Sequence, residues 1–162
     1  MIAWFGKDQR YSIEERSNFL NIINKTQPER SILLSTCDRI ELFMDTECIN
    51  PDFNFDINFI AHRLFCIAGG LYSPLLGETQ IMRQVKDAYQ NAVKNRQATK
   101  TLHFLIQNAI RVGKKIRSDT GISKGAMSHS LAAFKIIKKY VWNLNSQRIT
   151  IIGVNNVNLN LI

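Results

Sequence analysis

Two short apolar runs, Ser31-Ile32-Leu33-Leu34 and Ile40-Glu41-Leu42-Phe43-Met44, stand on either side of a polar link, Ser35-Thr36-Cys37-Asp38-Arg39. Strand-like runs joined by so short a link pair as antiparallel neighbours, because a parallel pair needs a long crossover. The first third of the chain is therefore committed to a small sheet. Alternation places Glu41 on the outer face, between inward Ile40 and Leu42. Ahead of this pair, Ile2 to Phe5 reads as a further strand. Ser12-Ile13-Glu14-Glu15 reads as a capping box that opens a helix. That helix carries Ile13, Phe19, Leu20 and Ile23 as its buried stripe and ends at Thr26-Gln27-Pro28.

Beyond the turn at Asn50-Pro51-Asp52 the period changes from two to about 3.6. Ile60, Leu64, Phe65, Ile67 and Ala68 form a helical face that stops at Gly69-Gly70. A loop runs from Gly70 to Gly77. Glu78 then begins a long helix with Ile81, Val85, Ala88, Tyr89 and Ala92 inward. Thr99 to Arg117 gives another helix. After a break at Gly121 to Gly125, Ser128 to Trp142 gives one more, with Leu131, Phe134, Ile137 and Val141 inward. The expected class is α+β: a small antiparallel sheet with helices, then a helical subdomain and a long connecting helix.

A chain of 162 residues buries one sizeable core or two small ones. Its 45% apolar and 21% charged content is that of a folded globular protein rather than a disordered one. No window reaches the apolar length of a membrane span, and the N-terminal apolar run is too short for a signal peptide, so a cytoplasmic location and no membrane partner are expected. Three cysteines, an odd number without metal-like pairing, fit a reducing compartment and suggest neither a disulfide framework nor a metal site. Cys48 and Cys66 carry no motif. The net charge of +8 fits either a polyanionic partner or simply a basic surface.

The link between the two strands has the make-up of a nucleophile site. Cys37 has a hydroxyl before it and an arginine two places after it. A nearby cation lowers a thiol's pKa and populates the reactive thiolate. The opposing reading is an inert core thiol, cysteine being among the most buried residue types. For Arg39 the opposing reading is a surface charge at a strand edge.

Four ordered blocks decide between these readings. Ser35-Thr36-Cys37-Asp38-Arg39-Ile40-Glu41 resembles the Ser-Thr-Cys-Asn-Arg-x-Glu signature of glutamyl-tRNA reductase, with Asp38 where that family usually has Asn. Gly70-Leu71-Tyr72-Ser73, followed by Gly77-Glu78-Thr79-Gln80-Ile81, is similar to its Gly-Leu-x-Ser-x-x-x-Gly-Glu-x-Gln-Ile block. Gln84 to Tyr89 and Gly113 to Ile122 supply the third and fourth blocks.

The resemblance implies a thioester enzyme of tetrapyrrole (porphyrin) biosynthesis. A cysteine attacks the ester of glutamyl-tRNA, and NADPH reduces the resulting thioester to glutamate-1-semialdehyde. On this resemblance Cys37 is the nucleophile, Thr36 and Ser73 are hydroxyls on the glutamyl group, and Arg39 holds its carboxylate. Glu78 and Gln80 belong to the substrate-side block, although Glu78 equally suits the positive end of a helix. Gly70 and Gly77 serve loop geometry.

Two departures stand out. Arg63 occupies the position of a family histidine, and neighbouring His62 points about 100° away on a helix. Arginine can bind a carboxylate but cannot act as a base at neutral pH. Asp8-Gln9-Arg10 replaces a usual Asn-His-Lys, so Asp8 adds a negative charge while Arg10 keeps a cation. Arg111, Lys114, Lys115, Arg117 and Lys124 could track tRNA phosphates or form a solvated face.

Residues 1–125 are expected to form the catalytic domain, 126–147 the connecting helix, and 148–162 the first strand of an incomplete nucleotide-binding domain. Arg148 to Gly153 begins like such a strand, but Asn155 and Asn158 stand where the dinucleotide fingerprint has glycine. The NADPH site is thus expected to be missing, leaving thioester formation and hydrolysis. A second reading is a non-catalytic tRNA-binding remnant. The resemblance implies a homodimer for intact relatives, and a monomer is expected for this chain.

Overall fold

The computed structural model describes residues 1–124 and 129–153. Three strands, β1 (Ile2–Lys7), β2 (Ser31–Ser35) and β3 (Ile40–Asp45), form one antiparallel sheet in the order β1-β3-β2. Both outer strands run antiparallel to β3 and hence parallel to each other. Helix α1 (Ile13–Thr26) makes the crossover between them. The register sets Gly6 opposite Glu41 and Leu34 opposite Glu41 on the other side.

The sheet is covered on both faces. Phe19 and Ile23 of α1 pack against Ile40 and Leu42 on one face. On the other, Ile2, Ile32, Leu34 and Phe43 join the buried faces of α2 (Ile57–Gly69), α3 (Gln80–Lys94) and α4 (Lys100–Thr120). This second layer holds most of the core. Phe43, Ile60, Leu64, Ile67, Leu102 and Ile106 are fully buried, each stabilising by roughly 1.5–3 kcal/mol.

Local signals set the helix ends. The Ser12 hydroxyl accepts from Glu15 N while the Glu15 carboxylate accepts from Ser12 N, the reciprocal capping box. Gln27, in the left-handed region at φ 43°, closes α1 before Pro28. Asp56 caps α2 at its N-terminus and left-handed Gly70 closes it. Thr99 caps α4, and Gly121 ends it.

Several expectations need correction. Ile13, in the first turn of α1, is exposed, leaving Phe19 and Ile23 as its buried pair. Glu78 precedes α3 rather than opening it, and Gly77 and Glu78 belong to the loop. α5 runs from His129 to Tyr140, the expected start at Ser128 lying outside the described residues. Leu131 and Phe134 on α5 are exposed, not inward. Arg148 to Ile152 forms no strand. Asn155 and Asn158 lie outside the described residues, as does the 125/126 boundary.

Candidate active site

The four-residue link between β2 and β3 is held closed by Thr36. Its N–H donates to the Arg39 carbonyl at 2.9 Å, and its hydroxyl accepts from Asp38 N and Arg39 N, both at 3.2 Å. The hydroxyl proton of Thr36 stays available for donation. This turn presents Cys37 outward as an exposed residue while Arg39, the last residue before β3, turns inward and is only 3% exposed.

Cys37 is not activated by Arg39 as its spacing suggests. Partial desolvation pushes the thiol's pKa up, and the carboxylates of Asp38 and Glu78 push it further. The Arg39 guanidinium is instead engaged elsewhere. Its Nη2 donates to the Tyr72 carbonyl, and Nη1 lies 3.8 Å from Glu41 Oε1. Its Nε is buried with no hydrogen-bond partner among the described residues. Burial lowers the Arg39 pKa, with Glu41 opposing that shift and Arg63 adding to it.

Glu41 is the largest departure from the sequence reading. It is fully buried, not outward. Helices pack on both faces of the sheet, so alternation on β3 selects between two interiors rather than between core and water. The Glu41 carboxylate accepts from Arg63 Nε at 2.9 Å and Arg63 Nη2 at 2.7 Å, a two-pronged pair. It also accepts from Trp4 Nε1 at 2.5 Å. Gly6 makes room for it, since a Cβ there would lie 2.8 Å from Glu41 Oε2.

Arg63 reaches further along the same chain of charges. Its Nη2 donates to Asp8 Oδ2 at 3.1 Å, and its guanidinium lies 4.6 Å from the centre of the Trp4 ring. Burial opposes ionisation of Arg63, but the Glu41 and Asp8 bonds outweigh it and raise its pKa. Asp8 also accepts from Arg10 Nε at 2.9 Å and Nη2 at 3.0 Å. Against the cost of burial, these partners hold the Asp8 carboxyl well below the usual range. The two departures noted in the sequence, Asp8 and Arg63, thus meet in space as an ion pair.

A hollow of ≈ 510 Å³ opens over these groups, lined by Asp8, Arg10, Arg39, Arg63, Tyr72 and Ser73 among others. It brings together three of the sequence-predicted residues, Arg39, Arg63 and Ser73. Thr36 and Cys37 stand in the adjoining link, outside its lining. Glu78, within the loop, is buried, and its charge acts on Cys37. Gln80 is the first residue of α3 and does not line the hollow. A larger hollow, ≈ 790 Å³, lies between the end of α1 and the α3–α4 turn and contains none of these residues. His62 is exposed and its ring faces Cys66 Sγ at 3.7 Å, so it does not take the place of a histidine at position 63.

Sequence reasoning missed Glu41 as a buried anchor, along with Trp4 and the backbone role of Tyr72. The signal available for Glu41 was a carboxylate flanked by apolar residues on a strand with arginine two places before it. Among the basic residues proposed for phosphates, Arg117 is inward instead: its guanidinium donates to backbone carbonyls. Lys115 pairs with Asp119 at 2.7 Å on the exposed face of α4.

The family model "Glutamyl-tRNAGlu reductase, N-terminal domain" matches residues 8–120. The chain belongs to the glutamyl-tRNA reductase N-terminal domain family. It is 33% identical over 158 residues to glutamyl-tRNA reductase of Carboxydothermus hydrogenoformans, covering 83% of this chain and 35% of that one. It is 37% identical over 139 residues to that of Thermoplasma acidophilum, covering 82% and 33%. Among solved structures, glutamyl-tRNA reductase from Methanopyrus kandleri superposes with a TM-score of 0.67 at 27% identity, covering 85% of this chain and 39% of that one. The α+β architecture therefore agrees with a solved reductase, and the chain spans about a third of the length of the curated relatives it matches. Among the described residues no helix is long and apolar enough to cross a membrane.

Proposed function

We propose that this chain is the part of a glutamyl-tRNA reductase that binds the glutamyl end of the charged tRNA and performs acyl transfer to Cys37, the first step of a route to tetrapyrroles. The observation that carries this is the Arg39 guanidinium, buried beside the hollow with Nε unpartnered among the described residues. A buried donor without a partner costs about 1–3 kcal/mol. A carboxylate of the glutamyl group would supply the acceptor.

With that carboxylate on Arg39 and the hydroxyls of Ser73 and Thr36 beside it, the ester carbonyl comes to the exposed thiol at the link. Cys37 Sγ attacks the carbonyl carbon, the carbon–oxygen bond to the ribose breaks, and a thioester forms. The thiol proton leaves to water, and the ribose hydroxyl takes up a proton in turn. Arg63 acts as a fixed wall rather than an acid or base, held by Glu41 and Asp8. Glu78 and Gln80 shape the loop side of the site.

In the intact family NADPH supplies the hydride that reduces the thioester. The described residues do not fit that cofactor: Arg148 to Ile152 is outside any sheet, so no strand-and-turn cradle for a pyrophosphate is built here. We assign residues 1–125 to catalysis, 126–147, the stretch that carries α5, to the connection and 148–162 to the start of a nucleotide-binding unit. A monomer, acting in the cytoplasm on glutamyl-tRNA without a metal, completes the proposal.

The test is intact mass after brief incubation with glutamyl-tRNA, beside Cys37→Ser. A glutamyl adduct on the wild type and none on the variant is the expected result. tRNA binding without any adduct would instead support a binding remnant, a reading favoured by the raised thiol pKa and the locked Arg63.

A further inference from the structure

Arg117 lies in the last turn of α4, away from the lining of the hollow. Its guanidinium nevertheless gathers the loop that carries Ser73 and Glu78. Nη1 donates to the Gly77 carbonyl at 3.0 Å, and Nη2 donates to the Glu78 carbonyl at 2.6 Å and the Ala68 carbonyl at 3.3 Å. Nη1 also donates to Ser123 Oγ at 2.7 Å, and Ser123 donates in turn to the Gly77 carbonyl at 3.2 Å. One planar fork thus joins the end of α2, the far end of the site loop and the segment that leaves α4.

The fit around this fork is close. Gly77 adopts φ +76°, and a Cβ there would fall 2.2 Å from the Ile122 carbonyl oxygen. A Cβ on Gly70 would fall 2.9 Å from Arg117 Nη2. The loop closes on itself through Gly77 N to Gly70 O at 3.0 Å. Three carbonyls converging from two segments suit a rigid guanidinium and not a single ammonium. Glu78, whose carbonyl takes the shortest of these bonds, is also the residue whose charge reaches Cys37.

We infer that Arg117 is a positioning residue: it fixes the Gly70–Thr79 loop so that Ser73 and Glu78 stand in register with Cys37, and it ties that register to the segment leaving α4. This rests on the acyl-transfer reading above. The experiment compares wild type, Arg117→Lys and Ser123→Ala as the whole 162-residue chain. Two readouts are taken. One is the rate of glutamyl adduct formation across a range of glutamyl-tRNA concentrations. The other is the pH midpoint of Cys37 alkylation by iodoacetamide, located by peptide mass, which involves no tRNA.

Arg117→Lys is expected to lower the saturated rate of adduct formation roughly 10- to 100-fold. The half-saturating tRNA concentration should change far less, because Arg117 touches no substrate. The alkylation midpoint should fall as Glu78 drifts from the thiol. Ser123→Ala, which keeps the arginine and removes one arm of the network, should shift both readouts the same way, the rate by about 2- to 5-fold. A folded Arg117→Lys with wild-type rate and midpoint overturns the inference. If Arg117→Lys does not fold, an unchanged Ser123→Ala overturns it. Wild type forming no adduct defeats the acyl-transfer reading instead, and the alkylation midpoints then still decide whether Arg117 positions Glu78.

Discussion

Cys37 stands in a ring of groups that oppose its ionisation: desolvation first, then the carboxylates of Asp38 and Glu78. A raised pKa means that the thiolate is scarce at neutral pH and accumulates only as pH rises. Alkylation of Cys37 should therefore show a midpoint above the ordinary thiol value of about 8.5. Asp38→Asn removes one adjacent negative charge and restores the residue usual in the family signature. Its midpoint should move down and its rate at pH 7 should rise, as read by iodoacetamide labelling across pH. An unmoved midpoint would show that burial and Glu78, not Asp38, set the shift. At this scale the sequence was informative about residue type and misleading about environment. Arg39 stood out in the sequence by its motif, and its spacing from Cys37 suggested a thiol activator. In the fold its guanidinium is engaged by the Tyr72 carbonyl and Glu41 instead.

Helix α2 is fastened to the sheet by the pair that Arg63 makes with Glu41 on β3, with Trp4 and Asp8 completing it. Removing Arg63 leaves the buried Glu41 charge with only Trp4 Nε1 and Arg39, 3.8 Å away, to offset it. Arg63→Met should thus destabilise the chain by about 3–5 kcal/mol, measured by urea unfolding. Adding Glu41→Gln to that variant should recover part of the loss, since the stranded charge is then gone; no recovery would place the cost in packing alone. Most elements were legible, for clear physical reasons. The Ser12–Glu15 box and the Gly70 stop are local chemistry, readable wherever they occur. The interior placement of Glu41 on β3 and the exposure of Leu131 and Phe134 on α5 were not legible, because they depend on which other elements cover a surface.

Taken as a whole, the molecule carries +8 net charge, and Arg111, Lys114 and Lys124 lie on or beside its last well-packed helix. Binding to glutamyl-tRNA should weaken steeply with salt, with a log–log slope of magnitude about 3 or more if several phosphates are neutralised together. Fluorescence anisotropy between low and moderate potassium chloride would measure it. A slope near zero would confine recognition to the glutamyl end. By itself the sequence determined the class of the fold, the positions of the caps and turns, and the family, since these are written in residue type and spacing along the chain. Only the tertiary structure decided that Glu41 is interior, that Asp8 and Arg63 answer each other across 55 residues of chain, and that Arg117 serves backbone carbonyls rather than phosphates. Those are pairings between distant segments. Burial and ion pairing depend on what lies across space, which a linear pattern does not carry.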